Sequence, residues 1–508
     1  MTIAISGVSR DSAFEGALGA LLDAEFASRL FACDATLWGE AAAVEAAVRL
    51  GWTDFAASAQ RVLAEAQALA DEFRAAGVDR FVLCGMGGSS LAPLVIAPSL
   101  TVLDSTHPDA VRAALEGDLG RTAVVVSSKS GGTVETLSHL AAFEAAFAGA
   151  GIDPTARIVV VTDPGSKLET AALANGERVI LADPNVGGRF SALTAFGIVP
   201  SVLAGADVAG LLREAEAARP TLAVDAPENP ALRLAAAIGA GLPERFQLEL
   251  HPDGTLPDEL GLWIEQLVAE STGKDGRGVL PIALPAGAAA TLAPGVTLLT
   301  YGDGELASVP APEITVSGSL GEQLLLWQVT TAALGFLIGV DPFNQPDVEA
   351  AKTATRESLG EPGSPAPEPL SPAEARAALR ELVPAGGYLG IQAYVDPGLP
   401  GVGALLEEAR AALNAELGVP VSLGYGPRYL HSTGQIHKGG PKRAAFLQII
   451  GLASRDVAIP GAEQTFGELM AAQARGDASV LRARGRGVVT VETHEPEAFL
   501  RGLLAASS

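Results

Sequence analysis

The sequence predicts an α/β protein whose parallel sheets are covered by helices on both faces. Three observations carry this. Short β-branched runs such as "RFVLCG", "TAVVVSS" and "RIVVVTD" recur along the chain. Segments with apolar residues at helical spacing lie between most of them. The chain has 508 residues, 48% of them hydrophobic, which is too long for one core and fits two or three.

Residues 1 to about 75 read as helices, because "EAAAVEAAVRL" and "SAQRVLAEAQALADEFRAAG" carry helical apolar spacing. Strands are expected at 80–85, 101–104, 122–128, 157–163 and 178–183. A second unit starts at about 225. There "NPALRLAAAIGAG" and "ELGLWIEQLVAEST" read as helices, and "GVLPIAL", "GVTLLTY" and "PEITV" as strands. The most apolar window, Leu324 to Val340, is short for a membrane span and contains Gln328, so a buried helix is expected. "SLGEPGSPAPEPLSP" is a Pro/Gly/Ser linker. The expected organisation is therefore 1–224, N-terminal helices and a first α/β domain; 225–357, a second; 358–372, a linker; and 373–508, a C-terminal α/β unit. No short repeat relates the units.

Net charge is −25, which makes nucleic acid and acidic membranes poor partners for the bulk surface. An anionic substrate then needs a local positive pocket. Cys33 and Cys84 allow at most one disulfide, which suits a reducing cytoplasm. No secretory signal is seen at the N-terminus. Only six lysines are present: Lys129, Lys167, Lys274, Lys352, Lys438 and Lys442. In an Arg-rich chain, a retained lysine suggests a compact ammonium doing what guanidinium cannot.

Five blocks carry chemistry. "CGMGGSSLAP" follows a strand and precedes a helix, so its backbone amides can meet an anion. Ser90 replaces the last glycine of a dinucleotide fingerprint, although Asp104 stands near where a ribose-binding acid belongs. A tight turn explains the block equally well. "VSSKSGGTVETL" offers Ser128, Ser130, Thr133 and Lys129 at a helix start, suited to a phosphate monoester. An N-cap cluster is the plain alternative. In "IEQLVAESTGKDGRG", Gln266, Glu270 and Lys274 share a face if the helix reaches that far, but Gly273 and Gly276 suggest that it ends near Glu270. On spacing alone an exposed Glu–Lys pair is the simpler reading. "DPFNQPDVEAAK" places Gln345 and Lys352 two turns apart on one helix face. "NVGGRFSALTAFG" puts Arg189 after paired glycines, as a ligand contact or a surface turn.

Taken in order, these blocks resemble glucose-6-phosphate isomerase. "CDATLWG" and "LHSTGQIHKGGP" extend the likeness to the isomerase half of bacterial transaldolase/glucose-6-phosphate isomerase fusions. The transaldolase half has no counterpart here. The resemblance implies two sugar isomerase (SIS) domains with parallel sheets flanked by helices, plus the C-terminal unit. It implies interconversion of glucose 6-phosphate and fructose 6-phosphate through a cis-enediol(ate), with no cofactor and no metal. By motif, Ser128, Lys129, Ser130 and Thr133 hold the phosphate, and Gly88 and Ser89 line the sugar. Glu270 is the base and Arg189 stabilises the enediolate. Gln266, Gln345 and Lys352 contact the sugar and assist ring opening. The implied partner is a small sugar phosphate, with homo-oligomer formation left open.

The family's ring-opening histidine has no counterpart between Glu270 and Lys352. Histidine titrates in the range that role needs. In "YLHSTGQIHKGGP", His431, more than His437, is expected to face the sugar, with Lys438 close by. Two other readings stand beside this one. A non-catalytic sugar-phosphate sensor is suggested by the missing histidine, and a nicotinamide-dependent oxidoreductase by the first glycine loop with Asp104.

Overall fold

The structure, a computed structural model, describes residues 3–304, 309, 312–346 and 370–505. Strand β1 (Ala4–Ser6) opens the described chain. Helices including Ser12–Asp23 and Ala56–Ala75 follow. The first sheet then forms from β2 (Arg80–Gly85), β3 (Thr101–Leu103), β4 (Thr122–Ser127), β5 (Ile158–Thr162) and β6 (Arg178–Leu181). These five are parallel, in the order β3-β2-β4-β5-β6. Strands β4 and β5 are buried throughout, which accounts for their unbroken valine-rich sequence.

The second sheet holds β7 (Gln247–Pro252), β8 (Leu280–Ala283), β9 (Val296–Tyr301) and β10 (Ile314–Ser317). Its order is β8-β7-β9-β10, and β1 adds an antiparallel edge on β10, so the first strand of the chain crosses the boundary expected near 224. The third sheet holds β11 (Tyr388–Tyr394), β12 (Val421–Tyr425), β13 (Ala444–Gly451) and β14 (Gly487–Thr493), parallel in the order β12-β11-β13-β14.

All three sheets share one plan. The second strand lies to one side of the first, and the third and fourth lie to the other. The kinship is carried by strand order, with no matching sequence period. In such a sheet the loops after the first and third strands leave in opposite directions, and the cleft between them is the usual ligand site. In the first sheet those loops follow β2 and β4, the two glycine- and serine-rich blocks.

The long helix Leu320–Ile338 is buried along most of its length, as expected, and joins the core shared by the first two sheets. No helix among the described residues is long and apolar enough to cross a membrane. Strand β7 escaped the sequence reading because Gln247, Glu249 and His251 interrupt its apolar residues. All three are buried, and their polar groups are used. Gln247 donates to the Gly387 carbonyl, and Glu249 accepts from the Thr291 amide at 2.9 Å.

The helix Glu259–Thr272 also buries Glu265. Its Oε1 accepts from the Ala283 amide at 2.7 Å, and burial raises its carboxyl to about 8. The folded state therefore keeps a proton that the unfolded chain releases near the ordinary glutamate value. Between those two values the unfolded state binds fewer protons, so stability falls as pH rises. We expect Glu265→Gln to flatten this slope by up to about 1.4 kcal/mol per pH unit, the free energy of one pKa unit. Urea unfolding at pH 5.5, 6.5 and 7.5 measures it.

Candidate active site

The loop after β2 forms a short 3-10 turn, Gly87–Ser89. Gly87 has φ +56, and a Cβ there would lie 2.6 Å from the His431 carbonyl and 2.8 Å from Gln266 Nε2. A Cβ on Gly88 would overlap the Gly188 carbonyl. Glycine is required at both because three loops converge with no room for a side chain.

The loop after β4 leads into the helix Val134–Gly149, with Thr133 as its N-cap residue. No side chain caps this end, so the first-turn amides keep their donors and the helix dipole points into the cleft. Ser128 Oγ and Thr133 Oγ1 lie 3.1 Å apart. Ser130 Oγ accepts from the Gly132 amide at 3.3 Å. Lys129 pairs with Asp163, and burial lowers the lysine while raising the aspartate. Leu140, Phe143 and Phe147 bury the helix's inner face, whereas Leu137 is exposed.

The helix Glu259–Thr272 ends at Gly273, which puts Glu270 in its last turn. Glu270 is buried, so the exposed Glu–Lys pair is excluded. Its Oε2 lies 3.3 Å from Arg189 Nε and 3.2 Å from Gln266 Nε2. Gln266 Oε1 is buried with no partner, an acceptor open to a ligand hydroxyl. Lys274 turns away to the Asp341 carbonyl, and burial holds its pKa well below the usual lysine range.

Arg189 is fixed from behind. Its guanidinium donates to the Pro342 carbonyl at 2.8 Å, to the Phe343 carbonyl at 3.3 Å and to Gln345 Oε1 at 3.1 Å. An aromatic wall stiffens both loops. Trp38 packs edge-on against Phe343, which meets Phe190, which stacks on Trp52. Trp38 comes from the "CDATLWG" block and also donates to the Ala332 carbonyl. Gln328, in the apolar helix, donates to the Phe190 carbonyl at 2.6 Å.

His431 arrives from the third unit on the turn Arg428–His431, just after β12. Each anchor of that turn reaches another element. Arg428 grips Asp104 with two hydrogen bonds of 2.6 and 2.9 Å. Tyr429 donates to Asp477 at 2.7 Å. The His431 carbonyl accepts from Gln266 at 2.9 Å, and its Nε2 bonds Glu135 Oε1 at 2.8 Å. Glu135 is buried. Burial alone would raise its carboxyl, but the His431 charge and hydrogen bond outweigh it and leave the value lowered. Gln473 Nε2 adds a bond to the same oxygen at 2.7 Å. The engagement of Asp104 by Arg428 removes the acid that a nicotinamide site would need.

One cleft of about 630 Å³ is lined by Gly88, Ser89, Ser128, Lys129, Ser130 and Thr133 together with Arg189, Gln266, Glu270, Gln345 and His431. That size suits a small molecule. Lys352 lies outside the described residues. Lys438, expected close to the sugar, is buried elsewhere and pairs with Asp477. His437 is a core residue, bonded to Tyr388 at 2.8 Å. The sequence reading missed Glu45 and Arg49, which also line the cleft. Arg49 donates to the Pro184 carbonyl at 3.4 Å, as Lys129 does. No local motif marks that position, since it is brought in by the N-terminal helices.

Parallel α/β sheets flanked by helices, with a switch-point cleft lined by hydroxyls, a buried carboxylate and a guanidinium, make up a fold of the SIS class. A structure from Chlamydia trachomatis described as a glucose-6-phosphate isomerase shares the fold, with TM-score 0.54 and 19% identity over 70% of this chain and 88% of that one. A hypothetical protein from Thermus thermophilus aligns with TM-score 0.59 and 26% identity over 71% of this chain and 100% of its own. No family model matches the chain. A probable glucose-6-phosphate isomerase of Natronomonas pharaonis is 30% identical over 337 residues, 54% of this chain and 78% of the relative. One from Haloarcula marismortui is 35% identical over 224 residues, 41% of this chain and 49% of the relative, so the chain spans about half of that protein's length. A glucose-6-phosphate isomerase of Rubrobacter xylanophilus is 29% identical over 379 residues, 58% of this chain and 86% of the relative. The chain belongs to the glucose-6-phosphate isomerase family.

Proposed function

We propose that the protein interconverts glucose 6-phosphate and fructose 6-phosphate through a cis-enediol(ate). The observation that carries this is the buried Glu270–Arg189 pair, 3.3 Å apart, facing the hydroxyl-rich loop across one cleft. The phosphate sits at Ser128, Ser130 and Thr133, with the free amides of the helix start and the charges of Lys129 and Arg49 around it. Gly88 and Ser89 line the sugar chain. With the phosphate held at one end, C1 and C2 of the open sugar lie beside Glu270.

Glu270 takes the proton from C2 and returns it to C1 while the hydroxyl proton passes from O2 to O1, so the C1 carbonyl becomes a hydroxyl, the C2 hydroxyl becomes a carbonyl, and atoms and charge are conserved in the substrate. Negative charge develops on the enediolate oxygen, and Arg189 meets it without reorganising, because the backbone carbonyls of residues 342–344 already hold the guanidinium. Gln266 and Gln345 orient the hydroxyls, and Lys352 keeps the role of an assisting cation in ring opening.

Ring opening is the role of His431. Its Nε2 is committed to Glu135, which leaves Nδ1 to exchange a proton with the ring oxygen. The histidine missing between Glu270 and Lys352 is thereby supplied by the third unit of the same chain. This supports reading the chain as the type that forms the isomerase half of transaldolase/glucose-6-phosphate isomerase fusions. It also removes the motive for a non-catalytic sensor. The domain division at 224, 357 and 372 and a cytoplasmic location belong to the same reading.

The test is a coupled assay on His431→Asn. Turnover of cyclic glucose 6-phosphate should fall by about 100-fold, the scale of a lost general acid–base group. Thermal unfolding should stay cooperative. Wild-type turnover in this variant would assign ring opening to another residue.

A further inference from the structure

A second cavity, of about 640 Å³, opens where the second and third units meet. Its floor is apolar and includes Leu242, Phe246 and Ile338. Its rim carries three exposed cations, Arg277, Lys442 and Arg443, against a single carboxylate, Glu244. The catalytic cleft shares none of these residues.

Net charge is −25, so an arginine or lysine has many carboxylates available to it. Arg178, Arg245 and Arg428 each have one. Among the described residues, Arg277, Lys442 and Arg443 have no carboxylate partner. Arg277 makes one neutral contact, from Nη1 to the Ile338 carbonyl at 3.0 Å. Three like charges around one concavity repel each other, and an anion placed among them relieves that repulsion. Low-dielectric walls below them focus the field.

Their mounting is rigid. Arg277 follows the helix that bears Glu270, where the Gly276 amide donates to the Gly439 carbonyl at 2.8 Å. Arg443 immediately precedes β13, and its carbonyl accepts from the Tyr388 amide at 2.9 Å. Both cationic segments are thus fastened to the backbone of other elements, with their side chains at the cavity rim.

We propose that this cavity is a second anion site, separate from the catalytic cleft. It takes a small organic anion, with the phosphate or carboxylate held by Arg277, Lys442 and Arg443 and an apolar body lying against Phe246 and Ile338. The acidic surface elsewhere repels such a ligand, so the local cluster decides where it binds.

Calorimetric titration of the full chain at low ionic strength tests this with phenyl phosphate, benzoate and inorganic phosphate. Wild type should show two classes of phenyl phosphate site. Lys442→Ser/Arg443→Ser should weaken one class at least ten-fold, whereas Ser128→Ala/Thr133→Ala should weaken the other. Both cations are exposed, so the first double variant should melt as wild type does. Inorganic phosphate should bind the second class more weakly than phenyl phosphate does. Benzoate competing for that class assigns it to carboxylates as well. No class that weakens in Lys442→Ser/Arg443→Ser, whether wild type shows one class or two, overturns the proposal, and a single class that weakens in that variant fails the catalytic cleft alone. Equal affinity for inorganic and phenyl phosphate at that class overturns its apolar part. Turnover is not read, so these outcomes are independent of the isomerase assignment.

Discussion

Glu270→Gln is expected to lower kcat for glucose 6-phosphate and fructose 6-phosphate by about 10²- to 10⁴-fold, the range that a positioned general base contributes. Glutamine keeps the size of the side chain and can still lie beside Arg189 and Gln266, so the helix end should remain packed. Substrate affinity should change little, because the phosphate is held at the far end of the cleft by Ser128, Ser130 and Thr133. A fall in kcat with KM nearly constant would mark an interaction made only in the transition state. A variant that instead raised KM while keeping kcat would make Glu270 a sugar contact and not the base.

Arg189→Ala is expected to cost about 10²- to 10³-fold in kcat/KM, comparable to removing one preorganised oxyanion donor. Two losses combine in it. The enediolate oxygen loses its guanidinium, and the carbonyls of Pro342 and Phe343 lose their buried donor. Arg189→Lys separates them. An ammonium restores the charge but cannot span the carbonyls, Gln345 and Glu270 at once, since Arg presents a planar fork and Lys a point charge. Lysine should recover only part of the activity. Coupled assays on both variants, with thermal unfolding alongside, measure the division. Full recovery by lysine would show that charge alone is needed.

Much of this was legible in the sequence, and the reason differs from residue to residue. Strand β4 and its loop were readable because burial on both faces demands valine, and an anion-binding loop demands small hydroxylated residues. Both demands are local. The end of the Glu270 helix was readable from Gly273. Strand β7 was not, because its buried polar residues are satisfied by partners distant in sequence, such as Gly387 and Thr291. Arg49 was missed for the same kind of reason. It reaches the cleft through tertiary packing, and its own neighbours form no pattern.

His431 lies between these cases. Its motif was visible, but its partner was not. Glu135 is a first-turn acid of the helix that follows the hydroxyl loop. In the fold it is the buried carboxylate that holds a histidine from 296 positions away. Lys438 shows the limit of inference from motif membership. It stands one residue from His437 and seven from His431, yet its ammonium is turned into the third unit, against Asp477.

Proton transfer by Glu270 is the central step within this cleft. Its most direct measurement is solvent deuterium exchange: fructose 6-phosphate is incubated with the protein in D₂O, and deuterium at C2 of glucose 6-phosphate and C1 of fructose 6-phosphate is followed by NMR. Wild type should incorporate deuterium at both carbons as it isomerises, and Glu270→Gln, folded and still binding the sugar phosphate, should neither isomerise nor exchange. Exchange by Glu270→Gln at the wild-type rate would contradict the account.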